Sequence, residues 1–184
     1  MKIDMTTSSV IAGFGGQGVL MIGYVLAHGA MHKGLNVTYL PAYGTEVRGG
    51  TANCTVIISA EEIASPVASE PDVLVAMNSP SLKRFEPRVR ADGLVLINSS
   101  LIHQEPERSD VEVVRVPAVE LAIELGSARA ANMVMVGALI EKTGILSLEE
   151  AFYGMEAALE GKAKFFNLNR NAIERGARLV RNGG

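Results

Sequence analysis

Cysteine is nearly absent from this chain: Cys54 is the only one among 184 residues. A lone thiol closes no internal disulfide, and by itself it ligates neither an iron–sulfur cluster nor a structural zinc. A reducing, cytoplasmic setting is therefore expected. Tryptophan is missing and aromatic residues total 5%, which argues against a stacking platform for single-stranded bases. No basic block offsets the formal net charge of −3. The tight basic clusters, Lys83-Arg84 and the arginine-rich C-terminal segment, read as solvated helix faces, so no nucleic-acid partner is expected. Glycine or polar residues interrupt every apolar run well short of the ~20 residues a membrane helix needs. The opening "MKIDMTTSS" lacks the basic-then-apolar order of a signal peptide, and no membrane association is expected.

What is present is globular. Apolar residues make up 48% and charged residues 20%, and the length suits one domain, 1–184, with a sizeable core. The segments 10–12, 36–40, 55–59, 72–77, 93–97 and 111–116 read as strands, the last three as continuous apolar runs covered on both faces. The second of these strands is expected to end at Pro41. Residues 19–31, 79–90 (broken near Pro87), 119–125, 133–142, 148–159 and 169–181 read as helices, with Gly34 stopping the first. In the last helix Ile173, Ala177 and Val180 share one stripe. Alternating strands and helices predict a three-layer α/β/α sandwich on a mostly parallel sheet. A hairpin within 52–64 would make that sheet mixed.

Two glycine-bearing bends stand out. The first, Gly13-Phe14-Gly15-Gly16-Gln17-Gly18, fits G-x-G-x-x-G between a strand and a helix. There, glycines allow a tight turn and close backbone approach, and the helix start offers N–H groups to an anion. A dinucleotide site also wants an acid closing the second strand, but that strand runs into Leu40-Pro41-Ala42, and the nearest acid, Glu46, lies well beyond. No Lys-Ser/Thr follows for a Walker pattern either. The first bend therefore reads either as close packing of helix on sheet or as a seat for an anionic group from outside the chain.

The second bend is "YGTEVRGG", residues 43–50. It should leave the sheet at the carboxyl edge, beside the first bend, where open α/β sheets bind ligands. Tyr43, Gly44, Glu46, Arg48, Gly49 and Gly50 are its candidate contacts. The two final glycines permit close approach, and Arg48 is a forked cation suited to carboxylate or phosphate. Other chemistry-bearing sets are missing. His28 and His32 lie four apart on the first helix without a third ligand, and no G-x-S-x-G elbow occurs. Cys54 and the eight methionines read as core.

"GFGGQGV" followed by "PAYGTEVRGGTANCTVIIS", "SP" at 65–66 and "ANMVMVGALI" at 131–140 resembles the gamma subunit of 2-oxoacid:ferredoxin oxidoreductases over nearly the whole chain. It is most similar to subunits of the 2-oxoglutarate and branched-chain 2-oxoacid enzymes. The resemblance implies a Rossmann-like gamma domain within a multi-subunit oxidoreductase. Such an enzyme converts a 2-oxoacid and coenzyme A to acyl-CoA and CO2 while reducing ferredoxin. It also implies that thiamine diphosphate with Mg and the iron–sulfur clusters reside in alpha, beta and ferredoxin-like delta partners, so that this chain is inactive alone. In line with that, a G-D-G…N-N thiamine motif is absent, "ADGLVLINSS" being a partial echo. On this resemblance Gly15, Gly16, Gln17 and Gly18 meet partner backbone or a tail of coenzyme A. Arg48 supplies charge to that ligand or locks the partner chain, and Asn132 braces the bends, unless it simply caps its helix. The rival readings are a free-standing Rossmann-type nucleotide-binding protein and a purely structural assembly subunit.

Overall fold

The computed structural model describes residues 6–43 and 50–183. Six strands form one sheet: β1 (Thr7–Phe14), β2 (Asn36–Tyr43), β3 (Thr51–Ser59), β4 (Val73–Ala76), β5 (Leu94–Asn98) and β6 (Glu112–Val116), in the order β2-β3-β1-β4-β5-β6. Six α-helices accompany them: α1 (Val19–His32), α2 (Ser79–Phe85), α3 (Ala118–Glu124), α4 (Ala131–Thr143), α5 (Leu148–Ala158) and α6 (Phe166–Arg181). Strands β1, β4, β5 and β6 run parallel, and β3 runs antiparallel to both of its neighbours. Sheet and helices form the expected α/β layers.

The sheet is mixed for a different reason than the one expected. Residues 51–59 form one unbroken strand rather than part of a hairpin within 52–64. Its Cys54, Val56 and Ile58 all face the larger core, so folding this segment on itself would strip that side. It pairs instead with β2 on one side and β1 on the other, separating the strands that flank α1. Strand β2 also runs through Pro41 to Tyr43. It is the edge strand, where proline's missing N–H need not break a ladder.

Period-2 alternation sends side chains into two cores. On one side Ile11, Val75, Leu96 and Val114 lie beneath α1, α3, α4, α5 and α6. On the other, Val10, Leu74, Val95 and Ile97 are covered by α2 and the 3-10 turn Glu86–Arg88 that Pro87 imposes. Each fully buried large aliphatic such as Leu96 contributes roughly 1.5–3 kcal/mol. The outer helices approach through glycine. A Cβ on Gly176 of α6 would lie 2.8 Å from the Val134 carbonyl carbon of α4, and one on Gly154 of α5 would lie 2.9 Å from the Gly29 nitrogen of α1. Helix α5 opens with a Ser147–Glu150 capping box. No described helix is long and apolar enough to cross a membrane.

Candidate functional site at the carboxyl edge of the sheet

The first bend and the two described ends of the second, Tyr43 and Gly50, meet at one rim. Strand β1 ends opposite the start of β3, with Phe14 facing Thr51, and Ala52 is flanked by Gly13 and Tyr43. Across the rim the Gly15 N–H donates to the Gly50 carbonyl at 2.9 Å. Tyr43 is 71% exposed there. Gly44, Glu46, Arg48 and Gly49 lie outside the described residues.

The first bend is held from below. Gln17 turns its amide inward: its Oε1 accepts from the Phe14 N–H at 2.7 Å and from Asn78 Nδ2 at 3.0 Å, while its Nε2 donates to the Met77 carbonyl at 3.1 Å. Asn78 in turn caps α2, its Oδ1 accepting from the Ser81 N–H. Gln17 thus bolts the bend to the end of β4, and its amide is spent inside the protein. Gly13 is buried with no room for a side chain, a Cβ there falling 2.7 Å from both Gln17 Oε1 and Val19 Cγ2. Gly16 is the opposite case: its φ is +97° and a Cβ would meet nothing within 4 Å. Gly15 and Gly16 are exposed, so they present bare backbone to whatever approaches.

Gly18 caps α1 in a left-handed conformation, φ 73°. Asn132 packs directly on it. Asn132 stands in the first turn of α4, inside the helix, whose N-cap is Ala130. Its Oδ1 accepts from the Met133 N–H at 3.0 Å.

A cavity of about 220 Å³ opens beside Gly16 and Gln17, walled by Met77, Asn98, Arg129 and Asn132. A second, of about 280 Å³, lies on the far side of Arg129 and Asn132, against Gly18, Met133 and Phe165. Sequence reasoning passed over Asn78, Asn98 and Arg129. Asn98 carried a usable signal: it is a polar residue closing a buried parallel strand, at the edge where such sheets bind ligands. Asn78 and Arg129 carried none.

The described residues hold no group of three or more His, Cys, Asp or Glu placed to bind a metal ion. Cys54 lies fully buried against α1, its thiol facing the Val19 carbonyl at 3.7 Å. Burial pushes that thiol up to about 12. His28 stacks on Tyr24, and His32 stacks on Tyr153 with ring centroids 3.8 Å apart.

Fold and rim define an α/β protein with a mixed six-stranded sheet and an exposed glycine bend between β1 and α1. Residues 8–179 match the pyruvate ferredoxin/flavodoxin oxidoreductase family, and the chain belongs to it. Ketoisovalerate oxidoreductase subunit VorA of Methanothermobacter marburgensis is 42% identical over 173 residues, which cover 93% of this chain and 36% of VorA. The chain thus spans about a third of that relative's length. 2-Oxoglutarate synthase subunit KorC of Methanothermobacter thermautotrophicus is 36% identical, with 98% of each chain covered. Among solved structures, the gamma subunit of a keto/oxoacid ferredoxin oxidoreductase from Geobacter sulfurreducens superposes with a TM-score of 0.83 at 25% identity, covering 96% of this chain and 99% of that one. The 2-oxoglutarate:ferredoxin oxidoreductase of Magnetococcus marinus, solved with 2-oxoglutarate, coenzyme A and succinyl-CoA bound, shares the fold. Its TM-score is 0.87 at 24% identity, with 97% of this chain and 32% of that one covered.

Proposed function

We propose that residues 1–184 form one gamma-type domain of a 2-oxoacid:ferredoxin oxidoreductase, with 2-oxoglutarate or a branched-chain 2-oxoacid as substrate. The complex cleaves carbon dioxide from the oxoacid, passes the electron pair to ferredoxin and transfers the acyl group to the coenzyme A thiol. This chain contributes one wall of the assembled site and is inactive alone. The observation that carries the reading is the Gly15–Gly50 hydrogen bond. It ties the first bend to the last residue of the second, with Gly15 and Gly16 exposed.

In this reading thiamine diphosphate, its Mg and the iron–sulfur clusters are held by alpha, beta and ferredoxin-like partner subunits. The single cysteine supports that for the clusters, since it is buried and a cluster needs several thiolates. Coenzyme A is the ligand this reading gives to the rim, with Gly15 and Gly16 taking an anionic part of it and Arg48 as a counter-charge. The topology counts against the free-standing nucleotide-binding reading. The strand beside β1 on the β2 side is β3, which begins at this rim rather than ending there. On that side of β1 the closing acid of a dinucleotide site has no strand end on which to sit.

Co-expression with the neighbouring thiamine-dependent and ferredoxin-like subunits tests the proposal. A complex that reduces a viologen dye with 2-oxoacid and coenzyme A, and loses that activity when this chain is omitted, is the expected result. Full turnover without the chain would overturn it.

A further inference from the structure

We propose that a second copy of this chain docks on the outer face of α1, about a two-fold axis that sets the two α1 helices side by side and antiparallel. The surface is the solvent side of a helix rather than the glycine rim, and the proposal stands independently of the gamma-subunit reading.

A surface helix buries one stripe and turns charged residues to water. Helix α1 does the first and not the second. Its Ile22, Val25, Leu26 and Ala30 belong to the core. The side chains left outside are Leu20, Met21, Tyr24, His28, Met31 and His32. The 14-residue helix holds no Asp, Glu, Lys or Arg anywhere. Met31, a methionine expected in the core, is 61% exposed, and Tyr24 is 47% exposed. The patch extends sideways without acquiring charge. The edge strand β2 is uncharged as well, and its Tyr39 ring lies 4.9 Å from that of Tyr24. At the other end His32 stacks on Tyr153 of α5. Formal charge begins only at Lys33, which pairs with Glu150 at 3.2 Å. Tyrosine and methionine without charge make up the centre of a protein interface.

The pattern of the seam selects the occupant. Met21, Tyr24, His28 and Met31 follow at intervals of three, four and three, the spacing by which one helix meets another. The seam is also palindromic about Leu26: reversed there, methionine falls on methionine and Tyr24 on His28. Across a two-fold axis the same patch serves both copies. An antiparallel pair therefore sets Met21 against Met31 of the second copy, and Tyr24 against its His28. A charge near the axis would face its own like, and this face carries none. Tyr24 already stacks on His28 within one chain, with centroids 5.8 Å apart. The two stacks meet around the axis as a cluster of four rings, flanked by adaptable thioethers.

Light scattering on the full chain, run from micromolar to near-millimolar concentration, should show a reversible dimer. Met31→Glu should weaken association roughly tenfold or more. Ile123→Glu, at an exposed apolar residue on α3, should not. Adding Met21→Lys to Met31→Glu should restore the dimer, because the introduced lysine faces the introduced glutamate of the other copy. The reversed pair, Met21→Glu with Met31→Lys, should restore it too. Within one chain these positions lie ten residues apart, ~15 Å along the helix, too far to pair. A monomer at every concentration, a dimer indifferent to Met31→Glu, or double variants no better than the single one would each overturn the proposal. So would oxidative footprinting in which Met31 is shielded only once other subunits are added, which would make one of them the occupant. A complex that turns over while its gamma chain stays monomeric overturns this proposal and spares the gamma-subunit reading. A chain that dimerises as described but joins no complex supports it and sinks that reading.

Discussion

Gly18 and Asn132 are locked together: a Cβ on Gly18 would lie 2.7 Å from the Asn132 side-chain carbon Cγ. The contact ties the start of α1 to the first turn of α4. Gly18→Ala carries two costs, the overlap and a left-handed φ of 73°. Together they should destabilise by roughly 2–4 kcal/mol. Adding Asn132→Ala removes the overlap but not the backbone strain, leaving about 1–2 kcal/mol. Urea denaturation of both single variants and the double variant gives the coupling directly, and additive losses would show that the two residues do not touch.

Gln17 yields a prediction of the opposite kind, because its role is inward. Gln17→Leu keeps the volume and removes three hydrogen bonds, to the Phe14 N–H, Asn78 and the Met77 carbonyl. A loss of about 2–3 kcal/mol is expected, with the Phe14 amide losing hydrogen-exchange protection. If the variant were fully stable yet defective in assembly, Gln17 would instead be a contact residue.

The sequence made much of this legible, and the gaps have physical causes. Period-2 and period-3.6 patterns located the strands and helices, because each segment buries a face and the pattern records it. Pairing was less legible. Thr51–Ser59 reads as a strand from its β-branched residues, yet nothing local says that it inserts between β1 and β2. Pro41 reads as a stop because a proline rarely continues a strand, and its position at the edge becomes visible only in the sheet. The glycines announced the rim. Asn98 and Arg129 did not, since an Asn after an apolar run and an Arg in a short turn are ordinary until folding brings them together.

Cys54 makes alkaline stability a probe of the β3–α1 contact. Its thiol rises from 9.0 to about 12 because burial disfavours the thiolate. A group whose folded value is raised gives its full stabilisation below the unfolded value and loses it as pH climbs toward the folded one. Between pH 9 and 12 the unfolded chain sheds a proton that the folded chain retains. Unfolding free energy should therefore fall about 1.4 kcal/mol per pH unit more steeply in the native protein than in Cys54→Ala. Burial, followed by the neighbouring Cys54, Tyr24 and Tyr43, also raises the Tyr39 hydroxyl, so a residual slope should persist in the variant. Parallel slopes in the two proteins would mean that the thiol reaches solvent.

The crossing of α4 and α6 reaches the site from a distance. Gly137 and Gly176 face each other's helices so closely that a Cβ on Gly137 would lie 2.7 Å from the Ile173 carbonyl carbon. The obstacle is backbone, which cannot rotate aside, so Gly176→Ala must push the helices apart. Alanine's better helix propensity returns about 1 kcal/mol, and the net loss should still be roughly 2–3 kcal/mol. For a chain of this size that lowers the melting temperature by about 4–12 °C. Gly161→Asn is the control, since φ there is +71° with nothing within 4 Å of a Cβ, and asparagine tolerates that backbone. Because α4 carries Asn132 in its first turn, displacement at Gly176 should also disturb the Asn132–Gly18 contact. Gly176→Ala is therefore expected to speed hydrogen exchange at the Ile22 N–H, which donates to the Gly18 carbonyl, while Gly161→Asn leaves it unchanged. A destabilised Gly176→Ala with native protection at Ile22 would show that the start of α1 takes its position from the sheet rather than from the α4–α6 crossing.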